Sequence, residues 1–371
     1  MTAPLLAVSQ LSVHYVSAGG ARVVRAVEDV SLTLGAGETL GIVGESGAGK
    51  TTLALAILRL LPPAARIVAG QIGFDGQDLL ARSASEMRRI RGKQIAMILQ
   101  DPMASLNPLF TVGDQVAEPI RVHEGASRAT AWSRARDLLK AVKIPAADQR
   151  VRDYPHQLSG GMRQRVVGAI AISCGPRLLI ADEPTTSLDV TIQAQYLRLL
   201  RELQRQHGLA LIFITHNLGI VAKMCDQVAV MYAGRLVESG PVRRIFDAPA
   251  HPYTRALLES IPRLADKHRR LTAIEGQPPD LAALPTGCAF HPRCSAVMDR
   301  CRGEEPPTFG VAPGHRARCW LAAADGPHDR AAPGARADHQ PRDSAGPGAA
   351  PSPRPLPRRA DDVMAEPEAA G

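Results

Sequence analysis

Eight consecutive residues at positions 44–51 have the spacing of a loop that binds phosphate. They read Gly-Glu-Ser-Gly-Ala-Gly-Lys-Thr and fit the pattern GxxxxGK[ST]. The glycines let successive backbone N–H groups turn inward around phosphate oxygens. Lys50 can then reach the β- and γ-phosphates of a nucleotide, and the Thr51 hydroxyl can ligate Mg²⁺. A predicted strand over 39–43 and a predicted helix over 50–61 flank this P-loop, and this context favours a nucleotide site over a chance glycine-rich turn.

Two carboxylates and a histidine follow buried-looking strands further along the chain. Asp182 and Glu183 end the apolar run 178–181, and His216 ends the run 209–215. Beside a P-loop, Asp182 would hold Mg²⁺ and Glu183 would polarise the attacking water, because a metal-bound acid makes a poor base. His216 is a candidate contact to the γ-phosphate. Each feature alone also fits an ordinary acidic turn or a capped histidine.

The elements that must position these residues alternate along the chain. Short, nearly unbroken apolar runs predict central strands of a parallel sheet covered on both faces, at 94–99, 178–181 and 209–215. Alternating or turn-bounded patterns predict further strands at 11–15, 30–34 and 71–74. Helices are predicted at 129–142, 162–173 and 190–206. The fold class is therefore α/β.

Composition limits the possible functions. The chain has 371 residues, 45% of them hydrophobic and 22% charged, and a formal net charge of +8. No apolar run is long enough to span a membrane, and the first ten residues do not resemble a secretory signal. The excess of basic residues fits an anionic partner or simply a solvated surface. The chain lacks the block of basic residues that would predict binding to nucleic acid. The last 48 residues, 324–371, are rich in proline and alanine and predict a disordered tail.

One further segment joins these pieces into a known pattern. The residues 158–165, Leu-Ser-Gly-Gly-Met-Arg-Gln-Arg, resemble the signature loop of ABC-type ATPases and the start of its helix. Gln100 stands where that family has its Q-loop, and Ser187-Leu188-Asp189 stands where it has its D-loop. Tyr15 stands where the family places an aromatic ring that stacks on adenine. Motifs of the family occur in order from Tyr15 to His216.

Other segments narrow the resemblance to the ATPases of dipeptide and oligopeptide importers. These segments are 41–47, 100–103 with 105–108, 154–157, and the run His-Pro-Tyr-Thr-Arg-Ala-Leu-Leu at 251–258. The resemblance implies a P-loop ATPase core with a mostly parallel sheet, an N-terminal antiparallel β subdomain and a helical subdomain at about 107–173. The implied division is an ATPase domain at 1–260, a cysteine-containing C-terminal extension at 261–323, and the tail.

The resemblance also implies roles for individual residues in a sandwich dimer, where ATP on one chain is closed over by the signature loop of its partner. The implied catalytic residues are Glu183, His216 and Gln100. The implied ligands of Mg²⁺ are Thr51, Gln100 and Asp182. The implied contacts to ATP are Tyr15, Gly44, Glu45, Ser46, Gly47, Ala48, Gly49, Lys50, Thr51, Thr52 and, in trans, Ser159, Gly160 and Gly161. Asn217 departs from the acidic residue usual in the subfamily but removes no motif residue.

Four of the six cysteines lie within 32 residues, at Cys288, Cys294, Cys301 and Cys319. A cytoplasmic chain rarely forms disulfides, so they are expected to be metal ligands or free thiols. Their spacing lacks the CxxC of common zinc sites and fits zinc, a Cys₄ iron–sulfur cluster or free thiols. The resemblance favours a [4Fe–4S] cluster, with zinc as the alternative.

The resemblance implies partners and a location as well. The chain would lie peripherally on the cytoplasmic side of the plasma membrane, with two permease subunits, a second related ATPase and an extracytoplasmic solute-binding protein. It would power import of peptides or related solutes. One alternative is a soluble ABC ATPase of DNA repair or translation, but those chains usually carry two cassettes or long insertions, and one P-loop is present here. Another is a non-catalytic nucleotide sensor, which Glu183 and His216 argue against.

Overall fold

A computed structural model describes residues 3–17, 19–101, 105–186, 188–261 and 273–323. Pro102, Met103, Ser187 and the predicted disordered tail therefore lie outside the described residues. The described strands form a four-stranded and an eight-stranded sheet. None of the helices in the described ranges combines the length and the apolarity needed to cross a membrane.

The smaller sheet is antiparallel and contains the N-terminus of the described chain. Its strand order is β2-β1-β4-β5. The strands are β1 (Leu6–Val16), β2 (Val23–Leu34), β4 (Ala65–Phe74) and β5 (Gln77–Asp78). Leu6, Leu11 and Val13 of β1 are fully buried, so one face of this sheet packs on the core.

The larger sheet has a parallel centre, as predicted. Its order is β11-β12-β10-β9-β3-β8-β7-β6, and the run from β9 to β6 is parallel. The parallel strands are β3 (Thr39–Val43), β6 (Ile95–Ile98), β7 (Leu178–Asp182), β8 (Ala210–Ile214) and β9 (Gln227–Tyr232). The antiparallel strands are β10 (Arg235–Pro241), β11 (Phe309–Ala312) and β12 (His315–Ala317). All residues of β3, β7 and β8 are buried, which is why these strands read as unbroken apolar runs.

Helices cover the sheets and form a separate helical layer. They are α1 (Lys50–Ile57), α2 (Ala84–Ile90), α3 (Val112–Glu124), α4 (Arg128–Ala141), α5 (Ala147–Arg150), α6 (Gly160–Ile172), α7 (Val190–His207), α8 (Leu218–Met224), α9 (Val242–Asp247), α10 (Pro252–Glu259) and α11 (Asp299–Gly303). Short 3₁₀ segments occur at Pro155–Gln157, His291–Arg293 and Trp320–Ala322. The buried faces of α3, α4, α6 and α7 share one apolar cluster with β6, β7 and β8.

The predicted helix over 50–61 is shorter than expected. It ends at Ile57, and Arg59 adopts a positive φ of 51°. Leu60 then points outward at 47% exposure, and two prolines follow. Proline restricts the preceding residue to extended backbone, so the helix ends before this pair.

Candidate nucleotide site

The P-loop lies between β3 and α1, and its glycines are required by its surroundings. At Gly44, φ is 152° and an added Cβ would lie 2.2 Å from the carbonyl oxygen of Met231. At Gly49, φ is 99° and the Cβ would lie 2.0 Å from the carbonyl oxygen of Ala26. Any side chain at these two positions would collide with backbone. The loop is therefore built around close backbone approach, the property a phosphate cradle needs.

Lys50 begins α1 with its side chain folded back over the loop. Its Nζ donates to the carbonyl oxygens of Gly44, at 2.9 Å, and of Glu45, at 2.8 Å. The residue is 6% exposed, and burial lowers the pKa of its ammonium group although Glu183, Asp182 and Glu45 raise it. The lysine is thus held at the mouth of the P-loop by weak acceptors that an anion could replace.

Asp182 ends β7 next to the start of α1. It is 3% exposed, and the Thr51 hydroxyl hydrogen bonds to its carboxylate. Its Oδ1 is buried and has no hydrogen-bond partner among the described residues. Burial raises the pKa of this carboxyl, opposed by the Thr51 hydrogen bond. A buried carboxylate oxygen without a partner, beside a hydroxyl, is a donor set that fits Mg²⁺.

The structure brings the three predicted catalytic residues together. Gln100 Nε2 donates to Glu183 Oε2 at 3.0 Å, and His216 Nδ1 lies 3.4 Å from Glu183 Oε1. The Thr186 hydroxyl, which sequence reasoning did not single out, also donates to Oε2 at 3.0 Å. Glu183 itself has a positive φ of 45°, which is uncommon outside glycine and turns its side chain at the strand end. Residues following three neighbouring strands therefore meet at one carboxylate.

Tyr15 approaches the same region from the small sheet. Its hydroxyl lies 3.3 Å from the hydroxyl of Thr52 in α1. The ring is half-buried at the end of β1, so a planar group could lie against it while a phosphate chain enters the P-loop.

The signature segment forms the N-terminus of α6. Ser159 is the N-cap residue, and its side chain accepts from the backbone N–H of Met162 at 3.4 Å. At Gly161 an added Cβ would lie 2.6 Å from Cγ2 of Ile192, whereas at Gly160 it would meet nothing within 4 Å. The helix N-terminus is a favourable place for an anion.

The four late cysteines line one pocket. Cys301 and Cys319 are 7% exposed, and Cys288 and Cys294 are half-buried; all are free thiols. Burial raises the pKa of Cys288 to about 11 and of Cys319 to about 12. Within the described ranges, however, no group of three or more Cys, His, Asp or Glu side chains is arranged to hold a metal ion. The geometry therefore does not support the predicted cluster or zinc site beyond this shared pocket.

Two contacts from the C-terminal part of the chain reach the P-loop, one from α10 and one from the C-terminal extension, and no sequence pattern predicts them. Arg293 forms an ion pair with Glu45, with N–O distances of 2.7 and 3.0 Å. The Tyr253 hydroxyl accepts from the Glu45 backbone N–H at 2.9 Å. The residues are separated by 248 and 208 positions, so no local pattern could reveal the pairing.

Comparisons with known proteins agree with this architecture. Residues 27–186 match the ABC transporter family, and residues 237–301 match the C-terminal region of oligopeptide/dipeptide transporters. A putative peptide import ATP-binding protein of Brucella melitensis is 51% identical over 81% of this chain and 92% of its own. The dipeptide transport ATP-binding protein DppD of Escherichia coli is 49% identical over 86% of this chain and 98% of its own.

Solved structures show the same fold. The ATP-binding cassette MJ0796, in a dimeric state bound to ADP and Pi, superposes with a TM-score of 0.58 at 26% identity. It covers 64% of this chain and 99% of its own. CbiO1 from Clostridium perfringens, part of an ABC transporter complex, gives 0.57 at 28% identity over 67% of this chain and 92% of its own. The chain therefore belongs to the ABC transporter family of ATPases, in the group of peptide-import ATP-binding proteins whose C-terminal region it shares.

Proposed function

We propose that this chain hydrolyses ATP to power the import of peptides or related solutes across the cytoplasmic membrane. One observation carries the proposal: the carboxylate of Glu183, held by Gln100, Thr186 and His216, follows the same strand as Asp182, next to the P-loop. A polarising carboxylate, a metal-type carboxylate and a phosphate cradle together fit phosphoryl transfer to water. The relatives named as peptide and dipeptide transport proteins supply the class of cargo.

The P-loop would hold the phosphates of ATP. Lys50 would exchange the carbonyl oxygens of Gly44 and Glu45 for phosphate oxygens, which are stronger acceptors for an ammonium group. Backbone N–H groups of the P-loop other than those of Glu45 and Ala48, which already have acceptors, and the N-terminus of α1 would complete the cradle. Tyr15 would stack on the adenine, since its ring lies at the side of α1.

Asp182, Thr51 and Gln100 are the residues that would hold Mg²⁺. The partnerless Oδ1 of Asp182 beside the Thr51 hydroxyl supports this assignment. The ion would supply charge neutralisation on the phosphates. Because Asp182 would be committed there, Glu183 would be free to orient and polarise water. His216, 3.4 Å from Glu183, would donate toward the γ-phosphate.

A second ATPase chain would complete the site, in agreement with the family's sandwich dimer. Ser159, Gly160 and Gly161 would donate to the γ-phosphate of the partner's ATP from the N-terminus of α6. Among the described residues, the hydrogen bonds of Ser159 stay within its own helix. In the same part of the chain, a Cβ on Gly160 would meet nothing within 4 Å, so its glycine suits close approach by another molecule.

The test is the substitution Glu183→Gln in the assembled transporter. We expect ATP binding to stay intact while hydrolysis falls about 10²–10⁴-fold, the usual effect of losing a positioned base. Binding is measured with a fluorescent ATP analogue and hydrolysis by phosphate release. Glu202→Gln, which removes an exposed partner of Lys143, is the matched control and should leave both unchanged. Near-normal turnover by the Glu183→Gln transporter contradicts the proposed role.

We also propose that Cys288, Cys294, Cys301 and Cys319 hold a [4Fe–4S] cluster, with zinc as the alternative. Two features support it: all four thiols line one largely apolar pocket, and the buried Nε2 of His251, which also lines it, has no partner within the described residues. The spacing of the four cysteines lacks the CxxC of common zinc sites, and the family resemblance favours a cluster. A bound cluster would stabilise this segment, which has little hydrophobic core of its own.

The proposed partners are two permease subunits, a related ATPase and an extracytoplasmic solute-binding protein, with the chain on the cytoplasmic face of the membrane. Exposed apolar side chains support a permease contact: Leu109 is 80% exposed and Phe110 is 55% exposed in the segment that leads from Gln100 to α3. Exposed apolar groups of this size mark interaction sites when they cluster. The alternative, a soluble ABC ATPase of DNA repair or translation, is not favoured by the relatives found.

A further inference from the structure

The ion pair between Arg293 and Glu45 joins the C-terminal extension to the P-loop. Nη1 of Arg293 donates to Oε2 of Glu45 at 2.7 Å, and Nη2 donates to Oε1 at 3.0 Å. This two-point geometry is the strongest form of arginine–carboxylate contact. The arginine side chain is only 4% exposed and that of the glutamate 26%, so water screens the pair weakly.

Arg293 is fixed independently of the glutamate. Its Nε donates to the carbonyl oxygen of Glu275 at 2.9 Å, and its Nη1 to the hydroxyl of Tyr232 at 3.3 Å. The guanidinium also lies 5.8 Å from the ring centroid of Tyr232 and 6.0 Å from that of Phe290. A side chain held this way is a rigid anchor, so the Glu45 side chain takes its position from the arginine.

The backbone of Glu45 is held as well, by Tyr253 of α10, which precedes the extension. The Tyr253 hydroxyl accepts the Glu45 backbone N–H at 2.9 Å, while Lys50 takes the Glu45 carbonyl at 2.8 Å. Arg293 itself ends the 3₁₀ turn His291–Arg293, which stands between the pocket residues Cys288 and Cys294. The conformation of the P-loop at Glu45 is therefore set by how the extension folds.

The charge of Glu45 makes this contact matter for nucleotide binding. A carboxylate within a loop that binds a polyanion repels it, unless a cation neutralises the carboxylate. Burial lowers the pKa of Lys50, and the negative charge of Glu45 is among those that oppose this lowering, so the field of Glu45 reaches the phosphate site. The hydrogen bond to Glu45 raises the pKa of Arg293 above its usual value, which keeps the neutralising charge in place.

We propose that Arg293 is a positioning residue of the nucleotide site: it neutralises and orients Glu45 from the C-terminal extension, so that the affinity of the P-loop for ATP depends on this extension. The inference rests on the proposed ATP site. It concerns binding alone, so a chain that binds ATP without hydrolysing it would overturn the proposed function and leave the role of Arg293 standing.

The experiment measures the Kd of a fluorescent ATP analogue on the full chain for Arg293→Gln and for the double variant Glu45→Gln/Arg293→Gln. We expect Arg293→Gln to weaken binding roughly tenfold or more, the scale of a lost charge-assisted contact. The double variant should regain most of that loss, because the uncompensated carboxylate is gone. Arg293→Lys should bind with intermediate affinity, since lysine keeps the positive charge but cannot make the two parallel hydrogen bonds of a guanidinium group. Arg302→Gln, at an exposed arginine of the same extension, is the matched control and should bind normally.

Two results overturn the proposal. One is unchanged affinity in Arg293→Gln. The other is a double variant as weak as the single one, which would mean that the arginine only supports the fold. Thermal melts of every variant accompany the titrations, and in the assembled transporter Arg293→Gln should raise KM for ATP with little change in kcat.

Discussion

Two adjacent glycines of the signature segment have different physical reasons for being glycine. A Cβ on Gly161 would lie 2.6 Å from Cγ2 of Ile192, but a Cβ on Gly160 would meet nothing. We therefore expect Gly161→Ala to lower the free energy of unfolding by about 1–3 kcal/mol through overpacking, and Gly160→Ala to leave it unchanged. In the assembled transporter Gly160→Ala should nevertheless lower ATP hydrolysis, because the partner's nucleotide would approach there in the proposed dimer. Denaturant melts and phosphate release measure the two effects.

A second-site substitution separates packing from function at this helix. Ile192→Ala removes the Cγ2 atom that collides, so Gly161→Ala combined with it should melt higher than the sum of the single effects predicts. If Gly160→Ala hydrolyses ATP normally, the segment does not close over a partner's nucleotide as proposed.

Residue types predicted the local half of the site and missed the distant half. The P-loop lysine and the strand-end pair Asp182-Glu183 could be assigned because their chemistry depends on neighbours within a few positions. The salt bridge of Glu45 could not, since its partner Arg293 is 248 residues away and an arginine in a loop carries no signal. Thr186 was missed for a different reason: one threonine in a polar turn has many ordinary uses.

Elements were predicted best where burial is complete. The runs at β7 and β8 are buried along their whole length, so their sequences are apolar throughout. By contrast β10 mixes buried and half-buried residues, includes a glycine and ends in proline, and its hairpin with β9 turns at Ala233-Gly234. The short strands β11 and β12 have only four and three residues, too few for a period to be read. Their position depends on pairing with a strand that is distant in sequence, which a local pattern of residues does not reveal.

The C-terminal extension is the element whose stability the cysteine proposal concerns. Protein prepared without oxygen should contain about four iron atoms and four sulfide ions per chain. It should also absorb visible light, as a [4Fe–4S] cluster does. Chelation of the iron should lower the melting temperature, because ligation closes loops in a segment with little regular structure. Cys301→Ser should abolish the iron content, whereas Cys225→Ser, outside the extension, should not. Stoichiometric zinc in place of iron selects the alternative, and protein with neither metal rejects both.

At the scale of the whole molecule, the proposed nucleotide site draws residues from both sheets and from the C-terminal part of the chain. The small sheet would contribute Tyr15, the parallel sheet Asp182, α10 the Tyr253 hydroxyl and the extension Arg293. The family resemblance implied the role of Tyr15, and the strand-end position of Asp182 predicted its place, because strand ends of a parallel sheet meet at one edge. Closure by the extension could not be predicted, because it depends on β12 pairing with β10 and bringing the cysteine-containing segment back onto the core.

Leu109 and Phe110 are large apolar side chains that remain exposed in this chain. A membrane-embedded partner that bound there would cover them. Both side chains follow Asn107, whose backbone bonds with Gln115 fix the segment against α3. A fixed apolar pair loses little entropy on docking, and truncating such an anchor typically costs enough to weaken a complex roughly tenfold or more. We expect Leu109→Ser/Phe110→Ser to reduce co-purification with the permease subunits and to reduce solute uptake, with unchanged binding of the ATP analogue by the isolated chain.

The matched control for this surface is Val68→Ser in β4, which removes another exposed apolar side chain, 52% exposed, from the small sheet. It should leave both assembly and uptake unchanged, because a scattered surface valine is ordinary and marks no interface. Normal assembly of the Leu109→Ser/Phe110→Ser chain would place the permease contact elsewhere. Weakened assembly by Val68→Ser alone would do the same, because the small sheet would then be the docking face. The two variants together therefore decide between the helical layer and the small sheet as the side of the ATPase that meets the membrane.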